Sequence, residues 1–161
     1  FLPREPPELK LLLLSFLKDS EKIPSVNDFA KSFDFTEQKE ILSLYEMKVN
    51  PPIKNPVTAS ILSAIIPGAG KFYTGEISDG ILAFLTTGLF SYLAYDNFKA
   101  HHNVRGWLFS GLTAMFYGGN VYGSYAATQI YNARLKFAFD LELDSFLKSN
   151  NYFIPKYDFC K

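Results

Sequence analysis

Charged and apolar positions divide the chain into three parts. Residues 55–133 are strongly apolar, whereas charged side chains are concentrated in residues 1–54 and 134–161. The few charges of the apolar part are Lys71, Glu76, Asp79, Asp96, Lys99 and Arg105. Its uncharged stretches are 55–70, 80–95 and 106–133. This pattern predicts apolar helices in the middle of the chain and polar segments on both sides.

The lengths of the apolar stretches predict different depths in a bilayer. A spanning helix needs about 20 apolar residues. The first stretch is interrupted by Pro67, so we expect a re-entrant half-helix over 57–70. Spans are predicted at about 79–98 and 106–128. The predicted fold class is therefore all-α: an integral membrane helical hairpin with a re-entrant half-helix.

The polar flanks have helical patterns of their own. One helical face over residues 9–17 carries Leu9, Leu12, Leu13, Phe16 and Leu17. Asp34 followed by Glu37 is a helix-start signal. Pro51 and Pro52 end that helix. We predict an N-terminal soluble helical module (1–50), a Pro-rich connector (51–56), the membrane domain (57–133), and an amphipathic C-terminal helix with its tail (134–161).

A soluble helical protein is the main alternative, because the mean hydropathy is only +0.01. However, 161 residues provide too little other material to cover two or three apolar helices on all sides. Tyr92, Tyr95 and Trp107 stand at the ends of the predicted spans, as in an interfacial aromatic belt, although Tyr is frequent throughout this chain. We therefore expect the lipid bilayer to be a partner.

Composition and motifs give no support for catalysis. A formal net charge of zero removes any global attraction to nucleic acid, so no nucleic-acid partner is expected. The single cysteine, Cys160, excludes an internal disulfide. His101 and His102, with Asp96, make at most an incomplete metal site. We expect no enzyme activity, no catalytic residue, no metal and no cofactor.

The sequence "PGAGK" at Pro67–Lys71 invites comparison with phosphate-binding loops. A P-loop requires Gly two residues before Pro67 and Ser or Thr directly after Lys71, but Ile65 and Phe72 stand there. The dinucleotide fingerprint fails as well, because Tyr73 occupies the third glycine position. Nucleotide binding at this break is excluded.

A membrane bend accounts for the same residues. The glycines of Pro67–Gly70 tolerate unusual backbone angles, and Lys71 can extend to the headgroups. Glu76 and Asp79 fall where the next helix begins, which suits acidic side chains. Two interpretations stay open: Lys71, Glu76 and Asp79 are candidate functional charges, or they only mark the interface.

The break also carries a family resemblance. Its motif, P-G-x-G-x-x-Y-x-G, is formed by Pro67, Gly68, Gly70, Tyr73 and Gly75. It resembles the signature of small bacterial two-helix membrane proteins of the DUF5683 group, and is distantly similar to TM2 domains. Residues 117–132 also resemble the second-helix pattern of that group. The resemblance implies a membrane fold and compartment more than an activity.

Small residues in the second predicted span form a candidate packing surface. Gly119 and Gly123 are spaced as G-x-x-x-G, with Ala127 one turn later, and such spacing allows close helix contact in lipid. This surface serves either a partner protein or the hairpin itself. Asn120, in the middle of the span, is expected to be buried with a hydrogen-bond partner.

These observations predict a non-catalytic accessory or scaffold subunit of a larger bacterial membrane complex, in envelope biogenesis or protein export. The alternative is a small transporter or lipid-handling protein that uses the charges at the break. The expected location is the bacterial inner (cytoplasmic) membrane. Basic residues lean weakly toward cytoplasmic termini, but the Phe1 start suggests processing, which favours periplasmic termini. Other integral membrane subunits are the expected protein partners.

Overall fold

A computed structural model describes Leu17 and residues 33–150. The described part of the chain is helical and has no strand, which confirms the all-α prediction. Its helices are α1 (Phe35–Val49), α2 (Pro56–Ile65), α3 (Ala69–Thr74), α4 (Ile77–Lys99) and α5 (Asn103–Ser149). Apart from Leu17, the helical pattern predicted over residues 9–17 lies outside the described residues, and so does the C-terminal tail with Cys160.

The chain forms two compact units. The terminal unit combines residues 1–52 with 134–161, and the central unit comprises residues 53–133. The boundary near residue 133 falls within α5. The predicted soluble or membrane character of each part stays a prediction.

The terminal unit is held together by an apolar cluster between α1 and the last turns of α5. Its buried members are Leu17, Phe33, Ile41, Leu44, Tyr45, Phe139, Leu143, Phe146 and Leu147. Phe33 meets Phe146 edge-on at 6.4 Å between ring centroids. The predicted helix start is present, because Asp34 is the N-cap of α1 and its backbone N–H donates to Glu37 Oε2 at 3.2 Å. The spacing at 3 and 4 residues places these side chains on facing stripes.

The central unit begins with the short apolar helix α2. Asn55 caps it by accepting hydrogen bonds from the backbone N–H groups of Val57 and Thr58. The helix ends at Ile65, and Pro67 follows where it cannot continue the hydrogen-bond ladder. Gly68, at φ 91°, then turns the chain into α3. A half-length helix followed by a sharp turn is thus encoded locally.

Helices α4 and α5 pack through aromatic rings. Phe90 of α4 stacks on Phe116 and Phe109 of α5, with ring centroids 5.1 and 6.3 Å apart. Near the connection between the helices, Phe98 meets Trp107 edge-on at 5.6 Å. Such pairs contribute about 0.5–1.5 kcal/mol each beyond the area they bury.

Helix α5 contains the amphipathic segment predicted from residue 134. That segment has no helix start of its own, because α5 runs without interruption from Asn103 to Ser149. The physical reason is that no Gly or Pro lies between Ser124 and Ser149, so nothing ends the helix where its pattern changes. The amphipathic segment is an extension of the helix that precedes it.

Among the described residues, α4 is the one helix long and apolar enough to cross a membrane. Helix α2 is apolar but shorter. Residues 106–128 are helical as expected. Their Gly, Ser, Asn and Tyr content makes the mean hydropathy of this segment too low for it to count as a spanning helix. The predicted second span, and with it the hairpin of two spans, stays a prediction.

Candidate functional site

The bend motif is packed tightly against the start of α4. A Cβ atom added to Gly68 would lie 2.1 Å from the Gly80 carbonyl oxygen, which is far inside van der Waals contact. A Cβ added to Gly80 would lie 2.8 Å from the Phe72 ring. Gly75 also has a positive φ of 90°, but a Cβ there would meet nothing within 4 Å. Gly68 is thus required by both angle and space, and Gly75 by angle alone.

Gly70 is the point where α2, α3 and α5 meet. Its backbone N–H donates to Ser63 Oγ at 2.9 Å, and that oxygen lies 2.6 Å from Ser124 Oγ. Both serines are fully buried. A Cβ on Gly70 would lie 2.1 Å from the Ala59 carbonyl oxygen and 2.7 Å from the Ser124 Cβ atom. Only glycine therefore lets the bend approach the two helices.

Hydroxyl groups continue this contact in both directions along α2 and α5. Ser60 Oγ donates to the Val121 carbonyl at 3.3 Å, and the Tyr117 hydroxyl donates to the Ala64 carbonyl at 2.6 Å. We call the contacts made by Ser60, Ser63, Tyr117, Val121 and Ser124 the polar seam. In an apolar setting, hydrogen bonds of this kind hold helices in register.

A second polar cluster lies at the entry to α2, and sequence reasoning missed it. The Lys54 backbone N–H donates to Asn132 Oδ1 at 3.0 Å, while Asn132 Nδ2 donates to the Lys54 carbonyl at 2.8 Å. The Lys54 ammonium donates to the Tyr73 carbonyl at 2.7 Å and lies 4.2 Å from the centroid of the Tyr131 ring. Asn132 next to Tyr131, near the end of an apolar segment, was the available signal in the sequence.

The three candidate charges are not gathered into one cluster. Lys71 Nζ lies 3.6 Å from Asp79 Oδ2, and the Lys71 side chain is 20% exposed against 61% for Asp79. Glu76 is the N-cap of α4, and no ion pair involves it among the described residues. Lys71 and Asp79 thus link the bend to the first turn of α4, and Glu76 is a separate group.

The G-x-x-x-G pair is divided between two environments. A Cβ on Gly123 would lie 3.8 Å from Lys71 Cε, so this glycine faces the bend. A Cβ on Gly119 would meet nothing within 4 Å. The same is true of Gly88, Gly111 and Gly118. Packing within the central unit thus leaves these four glycines open.

Two buried polar side chains of the central unit lack hydrogen-bond partners. Asn120 is 5% exposed, and neither its Nδ2 nor its Oδ1 atom is bonded; the same holds for Thr87 Oγ1. The expectation that Asn120 is buried is confirmed, but the expected partner is absent. Ser124, one turn further along α5, donates to the Asn120 carbonyl and lies 2.6 Å from Ser63 Oγ. Ala127, expected on the same surface, is buried.

The two histidines lie in and beside the turn between α4 and α5. His101 has a φ of 62° there, and both histidines are exposed. Among Leu17 and residues 33–150, no three His, Cys, Asp or Glu side chains come together as a metal site. The expectation of a protein without metal stays a prediction.

Comparison with known proteins identifies one relationship. The uncharacterized protein MJ1516 of Methanocaldococcus jannaschii is 33% identical over 92 residues, which is 55% of this chain and 86% of the relative. The chain belongs to the family of that protein. No protein-family model matches the chain, and no solved structure matches it. Because the relative is uncharacterized, the relationship assigns no activity to this chain. The resemblance to DUF5683 and TM2 proteins stays a prediction, and so does the bacterial location.

Proposed function

We propose that the central unit is embedded in a membrane and that the protein is a non-catalytic accessory or scaffold subunit of a larger membrane complex. The observation that supports this most is the exposure of α4: only 17% of its most apolar stretch is buried. Its exposed large aliphatic and phenylalanine side chains are Ile77, Ile81, Leu82, Phe84, Leu85 and Leu89. Exposing so many large apolar side chains to water costs free energy, whereas contact with lipid removes that cost.

In this proposal α4 and the first half of α5 form a membrane hairpin. At 1.5 Å per residue, the 23 residues of α4 cover roughly 35 Å, enough for a hydrocarbon core of about 30 Å. Helix α2 is a half-length helix, and the bend after it is re-entrant. The polar seam satisfies the Gly70 N–H and the Ala64 carbonyl at this bend, and irregular backbone at membrane depth needs such partners.

The scaffold role follows from the open glycines. Gly111, Gly118 and Gly119 allow another helix to approach α5 closely, because no side chain of the central unit occupies the space beside them. Exposed Met115 and Tyr122 flank them with adaptable contact area. The partners in this proposal are other integral membrane subunits. A role in envelope biogenesis or protein export rests on the family resemblance alone.

The test is the size of the native assembly in mild detergent, with the full chain tagged in its host. Gly118→Leu and Gly119→Leu fill the open surface of α5 and should release the protein to a smaller species on native gels. Leu82→Phe is the matched control, because it adds bulk to an exposed site of α4. An assembly unchanged by both glycine variants refutes docking at this surface.

The alternative, transport or lipid handling at the bend, is favoured by one observation. Lys71 is largely buried within an apolar unit, and intramembrane ionisable residues commonly mark a pathway. Replacing Lys71, Glu76 and Asp79 with Gln, Gln and Asn distinguishes the two roles. Under the scaffold proposal, the variant loses its cellular function only if the assembly also breaks up. Loss of function with an intact assembly supports the alternative.

The proposed location is a cytoplasmic membrane, with the bacterial inner membrane and periplasmic termini taken from the sequence. Protease protection of a C-terminal tag in spheroplasts tests the orientation. Cleavage of the tag from outside supports periplasmic termini. Full protection of the tag means that the termini are cytoplasmic.

A further inference from the structure

A groove lies between α4 and α5 in the half of the hairpin nearer their connection. It has a volume of about 380 Å³ and is lined by Ser91, Ala94, Ser110, Thr113, Ala114 and Tyr117. Tyr117 also holds the last turn of α2 through the Ala64 carbonyl. The groove therefore begins where the half-length helix ends.

The surface of the groove is apolar despite its hydroxyl groups. Ser91 Oγ donates to the Thr87 carbonyl, Ser110 Oγ to the Gly106 carbonyl and Thr113 Oγ1 to the Phe109 carbonyl, all at 2.8–2.9 Å. Each hydroxyl proton is thus turned back onto its own helix. The groove offers shape and van der Waals contact to a hydrocarbon chain and few free donors to a polar ligand.

Basic side chains lie at the same end of the hairpin as the groove. Lys99 ends α4 and Arg105 lies in the first turn of α5, each five residues beyond a groove residue, or about 7–8 Å along the helix. Both are exposed, and neither has an ion-pair partner among the described residues. Trp107, 72% exposed, lies between this basic end and the groove. An anionic lipid matches this arrangement, because its phosphate can meet the two basic side chains while its acyl chain enters the apolar groove beside Trp107.

We propose that this groove binds one acyl chain of an anionic phospholipid, whose phosphate lies between Lys99 and Arg105. The inference rests on the membrane placement given under the proposed function. The acyl chain occupies the space that α2 leaves open beyond Tyr117. The phosphate of the headgroup neutralises the otherwise unpaired side chains of Lys99 and Arg105. The lipid then completes the packing of the hairpin on the side that a full-length helix would have covered.

Trp107 provides the assay, since it is the only tryptophan of the protein. The purified full-length protein is placed in phosphatidylcholine vesicles, and a minor fraction of the lipid carries brominated acyl chains that quench Trp fluorescence. Brominated phosphatidylglycerol should quench Trp107 as if enriched about fivefold over brominated phosphatidylcholine for each cation engaged. Soluble glycerol phosphate should not displace it, because the acyl chain carries part of the binding.

Variants separate the groove from general charge attraction. Ala114→Phe fills the groove and should lower the enrichment at least twofold, whereas Ile130→Phe, at an exposed position of α5 outside the groove, should leave it unchanged. Lys99→Gln with Arg105→Gln should reduce the enrichment to that of phosphatidylcholine. Lys39→Gln, in the terminal unit, is the charge control.

Three results overturn the proposal. Equal quenching by the two lipids means that no anionic lipid is selected, as expected if a protein helix fills the groove. Enrichment that survives Ala114→Phe means that charge alone attracts the lipid. If neither lipid quenches the fluorescence, Trp107 does not contact the membrane, and the proposed function is refuted as well.

Discussion

Glycine at position 70 is required by neighbouring atoms, and glycine at position 68 by neighbouring atoms together with its positive φ. The space beside each is filled by a backbone carbonyl 2.1 Å from where a Cβ would stand. The buried Ser63 hydroxyl then replaces the helix partner that the Gly70 N–H lacks. At the scale of single residues, the bend is a close-packed junction held by Gly68, Gly70 and Ser63.

Gly70→Ala should destabilise the central unit by about 1–3 kcal/mol, because the added methyl group collides with Ala59 and Ser124. Thermal unfolding in detergent, followed by circular dichroism, measures the loss. Gly119→Ala is the matched control, since its Cβ meets nothing and alanine favours helix. Equal unfolding temperatures for the two variants would contradict the junction.

Ser63→Ala should cost about 1–3 kcal/mol, since it leaves the buried Gly70 N–H without an acceptor. The same unfolding assay applies. Ser91→Ala removes a hydroxyl that only bonds its own helix at an exposed site, and should change stability by less than about 0.5 kcal/mol. A neutral Ser63→Ala variant would show that water replaces the serine.

At the scale of helices, much of the architecture was predictable and the rest was not. The end of α2 followed from Pro67, and the start of α1 from Asp34 and Glu37. The length of α5 did not, because a change of periodicity near Arg134 is not a stop signal. The Lys54 and Asn132 contact joins residues 78 apart, and no local pattern reports such a pairing.

Asn132→Ala tests that contact directly. The Lys54 N–H loses its acceptor, so its hydrogen exchange should become about fivefold faster, as expected for a bond worth about 1 kcal/mol. Amide exchange measured by mass spectrometry of peptides covering Lys54 gives the rate. Asn97→Ala removes a bond within α4 and should leave that rate unchanged. Faster exchange in the control alone would contradict the assigned contact.

At the scale of the whole molecule, the two units differ in how their apolar residues are used. The terminal unit buries its apolar cluster within the protein, while the central unit exposes much of its apolar surface. The sequence already indicated this contrast through the distribution of charge. The open glycines were visible as residues, but only the structure shows that the central unit does not fill the space beside them.

Membrane embedding of α4 is the central claim, and cysteine labelling tests it most directly. In a Cys160→Ser background, Leu85→Cys and His102→Cys are treated with a membrane-impermeant maleimide in intact vesicles. Leu85 is 60% exposed on the protein, so its own chain does not shield this position from the reagent. We predict that Leu85→Cys stays unlabelled until the membrane is dissolved and the protein denatured, while His102→Cys reacts from one side. Labelling of Leu85→Cys in intact vesicles as fast as His102→Cys would contradict the account.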